Sequence, residues 1–228
     1  METPTLIYCA DGNRRLAQIA IDAGFRYGAQ LPNTVYFWPY FADQDWREPN
    51  REAYMAALAE HRPVIASVLD LEREDQLGEV LSWAEEAAQY VERVMVIPKA
   101  FGVIPRIPAR VAGADVILGY SVPTRFAGTE VPVWEFGRRP VHLLGGSPQA
   151  QMRLAHYLNV VSADGNYAAK MAVRWGQFWT SGTATYAQNR WWPRLDEMGE
   201  AIQNDVPYEA FRRSCDNIMR AWTRFSRN

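Results

Sequence analysis

Short apolar runs alternate with longer segments of helical period along most of this chain, and this alternation restricts its fold more than any other feature. Apolar residues at three- and four-residue spacing in "NRRLAQIAIDAG", "REAYMAALAEH" and "QLGEVLSWAEEAAQYVE" indicate helices. Strands that alternate with helices are typical of parallel α/β folds. The strand-like runs are "TLIYCA", "FRYGAQL", "PVIASVLDLE", "RVMVIP", "DVILGYSV", "PVHLLG" and "NVVSA", with "VPVWEF" as an additional candidate.

Repeating units of roughly 25 residues predict an α/β fold of the (β/α) TIM-type barrel class, closed or incomplete, with an open doubly wound sheet as the alternative. The 228 residues, 48% of them hydrophobic, are enough for a single domain over residues 1–228. From residue 180 onward the pattern changes. There "RWWPRLDEMGEAIQ" and "YEAFRRSCDNIMRAWTRF" predict two extra helices, which form a C-terminal extension over residues 180–228. Two long aromatic loops, 32–50 and 123–140, are typical of functional lids.

Composition excludes several classes of protein. No apolar run approaches the roughly 20 residues of a membrane span, and "METPTLIYC" lacks the features of a signal peptide. We therefore expect a cytoplasmic protein without a membrane partner. Cys9 and Cys215 cannot build a disulfide framework, and the three histidines lack metal-ligand spacing, so no metal site is expected. Neither GxGxxG nor a Walker lysine occurs, and no cofactor is expected.

Charge is distributed unevenly along the chain. Residues 41–92 contain 4 basic and 13 acidic side chains, whereas residues 93–228 contain 17 basic and 10 acidic ones. This division is compatible with a polyanionic partner on one face, although an acidic stretch is also typical of solvated surface helices.

The letters ADGN occur twice, in "IYCADGNRRLAQIA" and in "VVSADGNYAAKMA", each time between a strand-like run and a helical segment. The first and last strands of a parallel barrel are neighbours, so the turns that follow them meet at the carboxyl end of the barrel. The repeat therefore predicts that Asp11 and Asp164 lie side by side at this mouth. Each aspartate can instead cap the helix that follows it.

Other polar residues follow directly on strand-like runs, where a parallel barrel holds its functional groups. In "HLLGGSPQAQMRLAHYL" two glycines allow the backbone to approach a planar ligand, and the next helix can donate free N–H groups. Two neighbouring carboxylates suit chemistry at an anomeric carbon. The strand-end candidates are Asp11, Asn13, Gln30, Asp70, Glu72, Lys99, Ser121, His142, Ser162, Asp164 and Asn166, together with Gly145, Gly146 and Ser147 in the glycine turn.

The segment "VHLLGGSPQAQMRLAHYLNVVSADGNYAAKMA", residues 141–172, resembles the tRNA-guanine transglycosylase superfamily. In that superfamily a strand ends in a glycine-rich turn before a proline, a helix follows, and the next strand ends in the nucleophilic aspartate. Gly145, Gly146 and Pro148 match the turn imperfectly, and Asp164 matches the nucleophile. The whole chain looks like a compact phage-type branch related to DNA-guanine transglycosylases, which place 7-deazaguanines in DNA.

The resemblance implies a base exchange at C1′ of a guanosine nucleotide. Asp164 would be the nucleophile and Asp11 the second, proton-transferring carboxylate. Asp70 would bind the guanine edge, and the backbone near Gly145 and Gly146 would meet its O6 carbonyl. The implied partners are DNA and a 7-deazaguanine base of the preQ0 type as small-molecule substrate. The full set of predicted binding residues is Asp70, Gly145, Gly146, Ser147, Asn13, Asn166 and His142.

The chain departs from the superfamily pattern in two respects. The usual zinc site of three cysteines and a histidine is absent, since only Cys215 lies in that region, and the tRNA-binding accessory domains are missing. DNA is therefore favoured as the polymer. Two other functions stay open: a hydrolase that acts on a small nucleoside or glycoside, and a barrel that binds nucleic acid or protein without catalysis. The sequence leaves a homodimer open as well.

Overall fold

The fold is seen in a computed structural model that describes residues 3–9, 12–124, 128–182, 191–198 and 205–227. The strands are β1 Thr5–Cys9, β2 Arg26–Leu31, β3 Phe41–Gln44, β4 Ile65–Leu71, β5 Arg93–Pro98, β6 Arg110–Val111, β7 Ala114–Ser121, β8 Pro140–Leu144 and β9 Asn159–Asp164. Eight parallel strands close into a barrel, because β1 pairs with both β2 and β9 and β5 pairs with β7. The remaining two-residue strand, β6, pairs antiparallel with the start of β7. The (β/α) barrel predicted from the sequence is confirmed, and the structure shows that it is closed.

Helices cover the barrel unevenly, since β2, β5 and β7 are not followed by an α-helix among the described residues. The helices are α1 Arg14–Asp22, α2 Arg51–His61, α3 Leu77–Ala87, α4 Pro148–Leu154, α5 Tyr167–Trp175 and α6 Val206–Arg227. Asn13 caps α1 by accepting from the Leu16 N–H, and Asn50 caps α2 in the same way through the Ala53 N–H. No described helix is both long and apolar enough to cross a bilayer.

Three sequence-based assignments differ from the structure. The loop expected over residues 32–50 contains strand β3, which is only four residues long and carries two polar side chains. The extra strand expected in "VPVWEF" is a 3₁₀ turn, Val133–Phe136, that follows Pro132. The helix α3 ends at Ala87, five residues earlier than its apolar period suggested.

The C-terminal extension contains one of the two expected helices, α6. The other was expected over residues 190–203, of which only 191–198 are described. There the chain is extended, because the Thr180 N–H donates to the Trp191 carbonyl at 2.9 Å and the Phe178 N–H to the Pro193 carbonyl at 3.1 Å. Residues 196–198 form a single 3₁₀ turn. Backbone pairing with the chain after α5 thus replaces helix in this described part.

Helix α6 lies on the outside of the barrel, where it packs against α5 and α1. The ring of Phe211 lies 5.1 Å from that of Tyr8 on β1, and Arg15 of α1 stacks over Tyr208 at 3.9 Å. Farther along, the Phe225 ring lies 4.8 Å from His156, just beyond α4. A long C-terminal helix therefore covers the seam where the first and last strands meet.

Alternating residues of each strand point into the barrel and form layers. The lower layer is apolar: Ile7, Phe41, Ile65, Met95 and Ile117 belong to one buried cluster. The residues two positions farther along β1, β3, β5 and β7 are Cys9, Asp43, Ile97 and Gly119, which form the next layer toward the carboxyl end. The interior of the barrel is therefore apolar below its carboxyl end and polar at the mouth itself.

Candidate active site

A cavity of about 530 Å³ opens at the carboxyl end of the barrel. All eight barrel strands contribute to its wall, as expected for an active site of this fold. The lining is rich in carboxylates and amides. It consists of Cys9, Gln30, Asp43, Gln44, Trp46, Asp70, Glu72, Ile97, Lys99, Ser121, Gly128, Leu144, Gly145, Asp164, Gly165 and Asn166.

Asp164 is the last residue of β9, and its side chain projects into this cavity. One carboxylate oxygen is hydrogen-bonded to the protein and the other is not, among the described residues. Its Oδ1 accepts a hydrogen bond from the Gly145 N–H at 2.9 Å and lies 3.4 Å from Nε2 of His142. No described residue donates to Oδ2, and the side chain keeps 11% of its surface exposed. A carboxylate fixed in this way presents Oδ2 to a ligand without first breaking a bond to the protein.

His142 contacts Asp164 from the interior of the barrel. Its side chain is completely buried, its Nδ1 lies 2.7 Å from the Ser162 hydroxyl, and its ring packs 5.1 Å from that of Phe41. Ser162 and Asp164 are two residues apart on β9, so both face the barrel interior. His142 therefore positions the carboxylate and does not line the cavity, in contrast to the substrate-binding role that was expected for it.

The glycine turn after β8 wraps around the end of β9. Gln151 on α4 joins the two by donating from Nε2 to the Gly145 carbonyl at 2.8 Å and to the Asp164 carbonyl at 2.7 Å. Gly145 and Gly146 have φ of +66° and +80°, in the left-handed region that favours glycine. This turn aims the Gly145 N–H at the Asp164 carboxylate.

The two glycines differ in the space around them, which predicts different costs for substitution. A Cβ on Gly146 would lie 2.5 Å from Cγ1 of Val122, whereas a Cβ on Gly145 would meet nothing within 4 Å. We expect Gly146→Ala to lower the free energy of unfolding by about 2–4 kcal/mol, from overpacking and backbone strain together. Gly145→Ala adds strain alone, about 1 kcal/mol. Chemical denaturation of both variants checks this, and equal losses would contradict it.

Asp43 on β3 is a second carboxyl in the cavity, and it was not among the candidates drawn from the sequence. It follows Phe41 by two residues and so faces inward, one layer above that apolar side chain. The buried Ser67 hydroxyl donates to its Oδ1 at 2.7 Å. Burial, reinforced by the negative charges of Asp164 and Asp70, raises the pKa of Asp43 to about 7.

Asp70 and Lys99 form an ion pair on the opposite side of the mouth from Asp164. Their Oδ2 and Nζ lie 3.4 Å apart, and both side chains are largely buried. The pairing register of β4 shifts between Ser67 and Asp70. The side chains of Ser67 and Asp70 can therefore both face inward, although the two residues are three positions apart. Burial raises the pKa of Asp70 even though Lys99 opposes the shift.

The structure separates the predicted site residues into three groups. Asp164, Asp70, Gly145 and Asn166 line the cavity, as do the strand-end candidates Gln30, Glu72, Lys99 and Ser121. Asn13 and Ser147 instead cap α1 and α4, accepting from the N–H groups of Leu16 and Ala150, and Gly146 lies behind the cavity wall. Asp11, the predicted second carboxylate, lies outside the described residues.

Metal ligation has no support in the described part of the chain. No group of three or more histidine, cysteine, aspartate or glutamate side chains there is arranged to hold an ion. Cys9 is at the mouth, whereas Cys215 is buried on α6, where burial raises the pKa of its thiol well above the usual range.

The fold and the cavity define a TIM-like (β/α) barrel with a mouth rich in carboxylates. Residues 20–223 match a family of unknown function, DUF6610, and the chain belongs to that family. The matched range includes Asp43, Asp70 and Asp164. No curated protein and no solved structure matches the chain.

Proposed function

We propose that the protein is a base-exchange transglycosylase that replaces guanine in DNA with a 7-deazaguanine through a covalent aspartyl intermediate. The observation that carries the proposal is the arrangement at Asp164. A carboxylate held through Oδ1 by the Gly145 N–H, with Oδ2 free, faces a cavity that also contains Asp43, a carboxyl whose pKa is close to neutral. The resemblance of residues 141–172 to the tRNA-guanine transglycosylase superfamily agrees with this assignment.

Asp164 supplies the nucleophile. Its Oδ2 forms a bond to C1′ of the target deoxyguanosine as the bond from C1′ to N9 of guanine breaks, and the electron pair of that bond leaves with the base. The hydrogen bond from Gly145 keeps the carboxylate oriented during the attack. The resulting ester is then open to a second base.

Asp43 transfers the proton in both directions. With a pKa of about 7 it is partly protonated at neutral pH, so it can protonate the departing guanine. The carboxylate that remains takes the N9 proton of the incoming 7-deazaguanine, whose nitrogen attacks C1′ and releases Asp164. Each cycle restores the proton on Asp43. This assignment gives Asp43 the role that the sequence had suggested for Asp11.

Asp70 and Lys99 are suited to bind the edge of the base. The carboxylate of Asp70 accepts from N–H groups such as those at N1 and the exocyclic amine of guanine, and the Lys99 ammonium donates to a carbonyl oxygen. Since the two groups neutralise each other at 3.4 Å, a neutral base can enter without leaving a buried charge unpaired.

Base exchange in DNA tests the proposal directly. The protein is incubated with single-stranded or duplex DNA and a 7-deazaguanine of the preQ0 type, and the DNA is digested and analysed by mass spectrometry. We expect the modified deoxynucleoside to appear together with an equal amount of free guanine. Release of guanine without incorporation would instead identify a hydrolase. If no 7-deazaguanine is incorporated and no guanine is released, the proposal is overturned and a binding protein is the remaining alternative.

A further inference from the structure

Helix α5 begins immediately beside the cavity and exposes an aromatic and two basic side chains on its outer face. It starts at Tyr167, directly after Asp164, Gly165 and Asn166, which line the cavity wall. Tyr167, Lys170 and Arg174 follow at spacings of three and four residues, so they form one stripe along the helix. Tyr167 is 41% exposed, and Lys170 and Arg174 are exposed as well.

The two cations of this stripe have no acidic partner among the residues that the structure describes. Neither Lys170 nor Arg174 forms an ion pair with any residue in the described ranges. Asp164 is the only acidic residue in the sequence between positions 140 and 182, so acidic neighbours along the chain are also few. Helices α2 and α3, which belong to the acidic part of the chain, follow β3 and β4 on the other side of the barrel. Lys170 and Arg174 thus add positive charge on the side of the barrel that bears Asp164, away from the acidic helices α2 and α3.

We infer that the outer stripe of α5, defined by Tyr167, Lys170 and Arg174, binds the DNA strand next to the nucleotide that enters the cavity. This inference rests on the proposed function for the identity of the polymer. A strand that places one nucleotide over Asp164 must leave the cavity across the residues that adjoin it, and α5 starts there. Unpaired cations bind backbone phosphates, and an exposed aromatic ring provides a stacking surface for any base.

The test compares two pairs of cations with the same spacing. Lys170→Ala/Arg174→Ala removes the pair on α5. Arg220→Ala/Arg224→Ala removes an equally exposed pair on α6, which also lacks ion-pair partners within the described residues. The second pair lies far along α6, near Phe225 and the end of α4. Binding of a fluorescently labelled single-stranded DNA is measured by anisotropy at several salt concentrations.

We expect the Lys170→Ala/Arg174→Ala variant to bind DNA roughly tenfold or more weakly than the wild type at 0.1 M salt. The slope of log K against log salt should fall in magnitude by about 1.4, since each phosphate contact on a single strand contributes about 0.7. The Arg220→Ala/Arg224→Ala variant should bind like the wild type. Tyr167→Ala should weaken binding about fivefold or more through lost stacking. Tyr157→Ala, which removes a more exposed ring beyond α4 (72% against 41% for Tyr167), should not.

The outcomes separate this inference from the proposed chemistry. Equal losses for the two cation pairs, or a loss for the α6 pair alone, overturn the inference, as does a wild type that does not bind DNA. Base exchange by the wild type together with unchanged binding by the α5 variant overturns the inference and leaves the proposed function standing. Selective loss of binding in the α5 variant without any base exchange supports the DNA surface and contradicts the transglycosylase.

Discussion

Asp164→Asn is expected to reduce base exchange at least ~10⁴-fold, because the substitution removes the oxygen that forms the bond to C1′. The side chain of asparagine has nearly the same shape, and its Oδ1 can still accept the hydrogen bond from the Gly145 N–H. The loss should therefore appear in activity and not in folding. The measurement is the rate of appearance of the modified deoxynucleoside.

A covalent intermediate provides a second readout for the same variant. Wild-type protein incubated with DNA in the absence of an incoming base should form a complex that survives denaturing electrophoresis, and Asp164→Asn should form none. Asp115→Asn is the matched control, since it makes the same chemical change at the opposite end of the barrel, where Asp115 is exposed and paired with Arg110. Exchange by Asp164→Asn within tenfold of the wild-type rate would exclude Asp164 as the nucleophile.

The position of Asp164 could be derived from the sequence because its surroundings are strongly patterned. The run "NVVSA" predicts a strand, the helical segment after it sets the direction, and barrel closure then places the aspartate at the mouth. The structure has this arrangement: Ile7 of β1 pairs with Asp164 of β9. The glycine turn was also recognised, since left-handed positions such as Gly145 and Gly146 are often glycine.

Asp43 could not be derived in the same way because its strand has little hydrophobic signal. Strand β3 has four residues, and two of them, Asp43 and Gln44, are polar residues that line the cavity. It is held in the barrel by parallel pairing with both β2 and β4, which periodicity does not reveal. The available signal for a strand was the apolar Phe41 two residues before Asp43. This alternation of apolar and polar residues is too short to distinguish a strand from a loop.

The second large effect is expected for Asp43→Asn, which should lower base exchange by about 10²–10⁴-fold because it removes the proton donor and acceptor. The wild-type rate at low DNA concentration should fall above pH about 7, where Asp43 loses its proton and can no longer protonate the leaving guanine. The residual rate of the variant should lack this fall. Asp45→Asn, two residues away and outside the cavity wall, should retain both the wild-type rate and its pH dependence.

The same substitution should change stability in the opposite direction to activity. The folded-state pKa of Asp43, about 7, is higher than its ordinary value of 3.8, so the folded protein binds more protons than the unfolded chain between these pH values. The free energy of unfolding of the wild type therefore decreases as pH rises from about 4 to about 7, by at most about 4 kcal/mol. Asparagine cannot ionise and its Oδ1 can still accept from Ser67, so Asp43→Asn should be more stable than the wild type at pH 8 and similar to it at pH 4. Denaturation at the two pH values measures this, and a variant less stable at pH 8 would show that Asp43 is ionised and favourably bound in the folded protein, which would remove it as the proton donor.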